Sequence, residues 1–163
     1  MESNKKLVIG WFSFTCCEDS SIVLTEILNT KFFEWKKNIE FRYMRILKTV
    51  NKLEGLDIAF VEGASSSDKH VEQIKEIRAN CKKLVAVGSC AVTGMPSGNR
   101  NNFDEETLQK YKELFDKFAY SKKVQKISDL VTVDEMIPGC PMKADDFIAH
   151  IDKYLVEFGI KNA

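Results

Sequence analysis

No stretch of this chain approaches the roughly 20 apolar residues that cross a bilayer. Its 24 basic and 24 acidic residues cancel, so no electrostatic footprint points to nucleic acid or an anionic membrane surface. There is no Cys-x-x-Cys knuckle, the usual ligand spacing of zinc fingers and ribbons. The cysteine count is odd, with Cys16, Cys17, Cys81, Cys90 and Cys140, which does not suit a disulfide framework. A vicinal Cys16–Cys17 disulfide would be strained and out of place in a reducing compartment. No repeat, low-complexity tract or linker divides the 163 residues, so one domain over 1–163 is expected. Met1 to Lys6 followed by Leu7-Val8-Ile9-Gly10-Trp11-Phe12 has something of a signal peptide. No small-residue cleavage site follows, so the segment reads as the first strand of a cytoplasmic protein.

What is present is an alternation of short apolar runs with longer amphipathic ones. Residues 6–14 (KLVIGWFSF), 56–61 (LDIAFV) and 83–88 (KLVAVG) read as buried strands. Residues 39–46 (IEFRYMRI) alternate like a half-buried strand, and 131–137 (VTVDEMI) like a short one. Ser20 and Ser21 are expected to cap a first helix through Ile22, Val23, Glu26 and Ile27 into Leu28. Asp68 to Cys81 reads as a second helix. Leu108, Tyr111, Leu114, Phe115 and Phe118 form a helical stripe suited to core packing or a subunit contact. Residues 144–158 form the last helix, with Phe147, Ile148, Ile151, Leu155 and Phe158 on its apolar face.

Near-continuous apolar strands joined by helices imply a parallel sheet covered on both faces. At this length the expected fold is a flavodoxin-like, doubly wound α/β sheet. The one long irregular segment, 94–104 (GMPSGNRNNFD), is of a length that usually serves function.

On that sheet the chemistry-bearing residues fall in one place. Cys16 and Cys17 follow the first strand. Glu62-Gly63 follow 56–61, Gly88-Ser89-Cys90 follow 83–88, and Pro138-Gly139-Cys140-Pro141 follow the last strand. All lie at carboxyl ends of parallel strands, the edge where open α/β sheets bind ligands. Thiolates gathered there suit structural zinc or an iron–sulfur cluster. One ligand per loop across a whole sheet favours the larger body, the cluster. Gly63, Gly88 and Gly139 let backbone approach it. Cys81, at a helix end, reads as a small buried hydrophobe. His70 and His150 read as solvated helix residues.

These residues together resemble a known family. LDIAFVEGASSS…KLVAVGSCAV over 56–93, TGMPSGNRN over 93–101 and IPGCP over 137–141 look like the small subunits of nickel–iron hydrogenases. They also resemble the related 20-kDa subunit of NADH:quinone oxidoreductase. The resemblance covers nearly the whole chain. It implies a flavodoxin-like fold with one [4Fe–4S] cluster, the one nearest the partner's active site.

In the hydrogenases the first two ligands come as Cys-x-x-Cys. Here the segment is Phe14-Thr15-Cys16-Cys17-Glu18, so Phe14 stands at the first ligand position. The quinone-reductase relatives use two adjacent cysteines, as Cys16-Cys17 supplies. The carried-over ligands are therefore Cys16, Cys17, Cys90 and Cys140. Glu62 matches a hydrogenase-type position near the cluster, suited to relaying protons or to capping a strand end.

The resemblance further implies a large partner subunit bearing a nickel–iron site, and a further electron-transfer subunit or ferredoxin as acceptor. With no cysteine after Cys140, one cluster is expected. The chain itself is expected to be a non-catalytic electron relay, cytoplasmic or peripheral to a membrane complex. Leu7–Phe14 and the 94–102 loop are expected at the subunit interface, with Phe12, Phe14, Met95 and Pro96 giving apolar contact. Two alternatives stand beside this: a quinone-reductase-like subunit of a membrane complex, and a structural zinc module.

Overall fold

The computed structural model describes residues 5–162. Five strands form one sheet: β1 (Leu7–Ser13), β2 (Ile39–Met44), β3 (Leu56–Glu62), β4 (Cys81–Val87) and β5 (Glu135–Ile137). All pairings are parallel and the order is β2-β1-β3-β4-β5. That is the flavodoxin-like winding the alternation implies. β3 is buried along its whole length, as the apolar run 56–61 requires of a central parallel strand.

Both faces are covered. Helices α1 (Asp19–Asn38) and α6 (Ala144–Glu157) cover one, where Trp11, Trp35, Phe60, Phe147 and Tyr154 make the aromatic heart of the core. Helix α2 (Asp68–Ala79) covers the other, with Ile74 and Ile77 against Ala59, Val61 and Leu84. On this second face residues 45–55, joining β2 to β3, form turns and no helix. A cavity of about 400 Å³ lies beside them, between the ends of β1 and β2 and helix α2.

Several local expectations change. Helix α1 runs on to Asn38, well past Leu28. Ser20 and Ser21 do not cap it. They lie inside its first turn, both buried, because a carboxylate from β3 takes the capping role. Cys81 opens β4 instead of ending a helix, since α2 stops at Ala79 and the chain is extended again two residues on. Only three residues of 131–137 form a strand. Val131 and Val133 serve as packing against the α2-side core.

The aromatic stripe at 108–118 breaks at Tyr111 into α4 (Glu105–Lys110) and α5 (Lys112–Lys117), and neither buries a residue. Tyr111, Leu114 and Phe118 are exposed, so the stripe is not core. Arg100 instead holds this excursion to the sheet. It donates to the carbonyls of Ser66 and Ser121 and lies over the rings of Phe115 and Tyr120.

Candidate iron–sulfur site

The carboxyl edge of the sheet holds a cleft bordered by Cys16, Cys17, Cys90 and Cys140. Beyond β1, Phe14 and Thr15 still pair with the β3 exit. Phe14 N–H donates to Glu62 O at 2.9 Å, and Thr15 and Ala64 exchange both bonds at 3.0 Å. This carries the chain over the edge and turns Cys16 inward and Cys17 outward. Cys16 is half-buried and Cys17 exposed. Glu18, in the left-handed region at φ 62°, then starts α1.

Cys90 sits not in a loop but in a short six-residue helix, α3 (Gly88–Thr93). It is buried, and packs with Ala64, Val124 and Cys16. Ser97, in the 3₁₀ turn Ser97–Asn102, places its Oγ 3.1 Å from Cys90 Sγ and 2.9 Å from the Thr15 carbonyl. Cys140 is exposed. Its loop is tied down on both sides of the thiol. Ser89 N–H donates to Gly139 O at 2.7 Å, and Met142 N–H to Ser20 Oγ at 3.2 Å. Gly139 has φ 127°, and a Cβ there would collide with the Pro141 carbonyl. Only glycine lets this loop fold back so tightly.

Beneath the cleft lies Glu62, 3% exposed. Its Oε1 accepts from the N–H groups of Ser20 (2.9 Å) and Ser21 (3.3 Å). Its Oε2 accepts from the hydroxyls of Ser21 (2.5 Å) and Ser13 (3.3 Å). Ser21 Oγ in turn accepts from Trp11 Nε1 at 2.8 Å. A carboxylate at the first turn of α1 satisfies orphan amides and complements the helix dipole. Glu62 therefore ties the end of β3 to the helix that follows Cys17, and Ser20 extends the tie to the Cys140 loop.

The thiols differ in electrostatics. Burial, then the negative charge of Glu62, pushes Cys16 up to about 12. Cys17 is raised too: the Asp19 amide pulls it down, but burial, the Asp19 carboxylate and Cys140 outweigh that. Coordination of a metal by either thiol would reverse its shift.

Other expectations are corrected. Phe12 is buried and stacks on Tyr43 at 4.3 Å, so it is core and cannot supply interface contact. Phe14 turns away from the cleft into the α2-side cavity, edge-on to His70 at 5.2 Å. Met95 and Pro96 are exposed as expected. His70 is not solvated. It is half-buried and accepts from Ser66 N–H at 3.3 Å, and burial lowers its pKa. His150 is also half-buried, between the Asp146 carbonyl and Glu135. Ser20, Ser21, Ser97 and Trp11 carry roles that sequence reasoning missed. Only the irregular 94–104 segment signalled one of them.

Among the described residues, no three His, Cys, Asp or Glu side chains close on a point that one metal ion could occupy. Four thiols nonetheless border one cleft, with Gly63, Gly88 and Gly139 between them. A set of sulfurs spread around a gap fits a thiolate-held cluster better than a single ion.

Fold and site together define an α/β sheet of flavodoxin type with a thiol-lined carboxyl edge. Residues 16–154 match the model of the NADH ubiquinone oxidoreductase 20 Kd subunit family. The chain belongs to that family and is of hydrogenase small-subunit type. It is 30% identical over 158 residues to a subunit of the F420-non-reducing hydrogenase vhu of Methanocaldococcus jannaschii, covering 86% of this chain and 54% of that protein. It is 31% identical over 111 residues to the delta subunit of the NAD-reducing hydrogenase HoxS of Cupriavidus necator, covering 58% of this chain and 53% of that one. The chain thus spans about half the length of the curated relatives it matches. In fold it follows a chain of an NAD+-reducing [NiFe]-hydrogenase in the H2-reduced state. The TM-score is 0.82 at 24% identity, covering 94% of this chain and 93% of that one. No described helix is long and apolar enough to cross a membrane.

Proposed function

We propose that this chain is the electron-transfer small subunit of a cytoplasmic multi-subunit nickel–iron hydrogenase. In this reading the whole chain, 1–163, is one domain holding one [4Fe–4S] cluster on Cys16, Cys17, Cys90 and Cys140. The observation that carries it is the meeting of four thiols, drawn from three distant parts of the sequence, around one glycine-cornered cleft. A cluster bound there supplies one-electron transfer, with its potential tuned by burial and by hydrogen bonds to sulfur.

The chain's own residues do the rest. Gly88 and Gly139 give the cofactor room, and Glu62 and Ser20 hold the Cys17 and Cys140 loops in register. Glu62 also reaches the exposed Ser13 hydroxyl, which supports reading it as a proton relay to the surface. The exposed Met95 and Pro96 beside the cleft suit contact with a large subunit bearing the nickel–iron site. A further electron-transfer subunit or ferredoxin would take the electrons on.

Anaerobic purification with iron and sulfide analysis tests this. Four irons and four sulfides per chain are expected, with a paramagnetic signal on reduction that Cys16→Ala abolishes. The purified chain alone should show no hydrogenase activity. A colourless protein with one zinc and no acid-labile sulfide would establish the zinc module instead.

A second reading is a 20-kDa-type subunit of a quinone-reductase-like membrane complex, favoured by the adjacent pair Cys16-Cys17. Mass spectrometry of co-purifying partners separates the two. A large subunit with paired Cys-x-x-Cys motifs at both ends means hydrogenase.

A further inference from the structure

We propose that Ser97 sets the reduction potential of the cluster by donating its hydroxyl proton to Cys90 Sγ. This rests on the cluster reading above and adds to it a residue outside the ligand set. Among the described residues, Ser97 is the one whose hydroxyl lies within hydrogen-bond distance of a cysteine sulfur, 3.1 Å from Cys90 Sγ. The same oxygen is 2.9 Å from the Thr15 carbonyl. A serine has one proton to donate, so it serves one acceptor at a time.

Both contacts run from the Ser97 hydroxyl, one to Cys90 Sγ and one to the Thr15 carbonyl. As an iron ligand, Cys90 has no proton. The Ser97 proton then turns to the sulfur, which carries the greater negative charge. Thr15 O loses little by this, because it keeps the N–H of Ala64 at 3.0 Å. Ser97 itself is held in place. It lies in a 3₁₀ turn where Gly98 N–H bonds Gly94 O at 2.7 Å, and Arg100 and Asn101 anchor that turn to the body. The site is also dry enough to matter, since Cys90 is 6% exposed.

Reduction adds one electron to the cluster and makes or breaks no covalent bond at Ser97. The proton stays on its oxygen. Because the added negative charge is shared with the ligand sulfurs, a donor at Cys90 favours the reduced state and raises the potential.

The test is an anaerobic redox titration with dithionite as reductant, followed by paramagnetic resonance, on wild type, Ser97→Ala and Ser97→Thr. Iron and sulfide are counted in each. The alanine variant should keep its cluster and titrate at a lower potential, and the threonine variant, which keeps the hydroxyl, should return toward wild type. An intact cluster with unchanged potential in Ser97→Ala overturns the proposal, as does a threonine variant as low as alanine. Should the alanine variant fail to assemble, proton hyperfine spectroscopy of the reduced wild type decides. A coupled proton that exchanges within minutes in D2O is expected from a hydroxyl, and its absence overturns the assignment. Wild type lacking iron and sulfide would instead end the cluster reading, a result distinct from either.

Discussion

The two walls of the cysteine cleft are built differently. The inner wall, Cys16 and Cys90, is packed against Ala64 and Val124 and is laced by Ser97 to the Thr15 carbonyl. The outer wall, Cys17 and Cys140, is exposed and is positioned by ties behind the thiols, from Glu62 to the first turn of α1 and from Ser20 and Ser89 to the Cys140 loop. The fold pre-forms the inner wall, because its sulfurs are part of a small apolar core. The outer wall has no such packing, and its thiols stand open to solvent. Glu62 is the joint between them, reaching from the end of β3 to the first turn of α1.

That joint offers the largest break. Glu62→Ala strips four donors of their shared acceptor, and we expect a loss of about 3 kcal/mol of folding stability, read by chemical denaturation of the cluster-free protein. Glu62→Gln keeps an acceptor and should lose about half as much. Equal losses in both would mean that charge at the helix terminus, not hydrogen bonding, carries the joint.

Chemical access separates the walls next. In cluster-free protein at about pH 8, iodoacetamide should label Cys17 and Cys140 well before Cys16 and Cys90. Cys16 is held near 12, so its labelling rate should keep rising with pH long after an ordinary thiol has levelled off. The sign for stability follows from the same shift. Below 9.0 the Cys16 thiol is protonated in both states and leaves stability unchanged; between 9.0 and about 12 the unfolded thiol ionises while the folded one does not, so the cost to folding grows with pH and levels off above that range. Stability should therefore fall as pH climbs past 9.0. Peptide mapping that found Cys16 labelled as fast as Cys17 would erase the distinction.

Smaller effects follow on folding alone. Cys90→Ala should cost the cluster-free protein about 1 kcal/mol, since it removes a buried sulfur from a packed cluster. Cys140→Ala should stay within about 0.5 kcal/mol. Leu114→Ser, on the exposed excursion, should also stay within about 0.5 kcal/mol. A larger loss there would mean that the 105–117 helices are stabilised by packing that their burial does not reveal.

Much of this was legible in the residues. Near-continuous apolar runs at 56–61 and 83–88 could only be central parallel strands, and parallel strands put every carboxyl end on one edge. The four cysteines could therefore be brought together from the sequence alone. The spacing of the aromatic stripe at 108–118 suits core packing or a subunit contact alike, and its exposure excludes only the core. Periodicity reports a face but not what the face meets. Ser20 and Ser21 misled because local propensity favours serine as a cap, yet a carboxylate from a strand distant in sequence won the helix terminus.

The sequence by itself determined the winding and the shared edge to which Cys17, Cys90 and Cys140 come, because those follow from hydrophobic period and chain direction. Only the tertiary structure decided which thiols face inward, that Phe14 turns away toward His70, and that Ser97 meets Cys90. Those depend on side-chain directions across separate loops, where no local period carries the information and only packing and hydrogen-bond satisfaction select the answer.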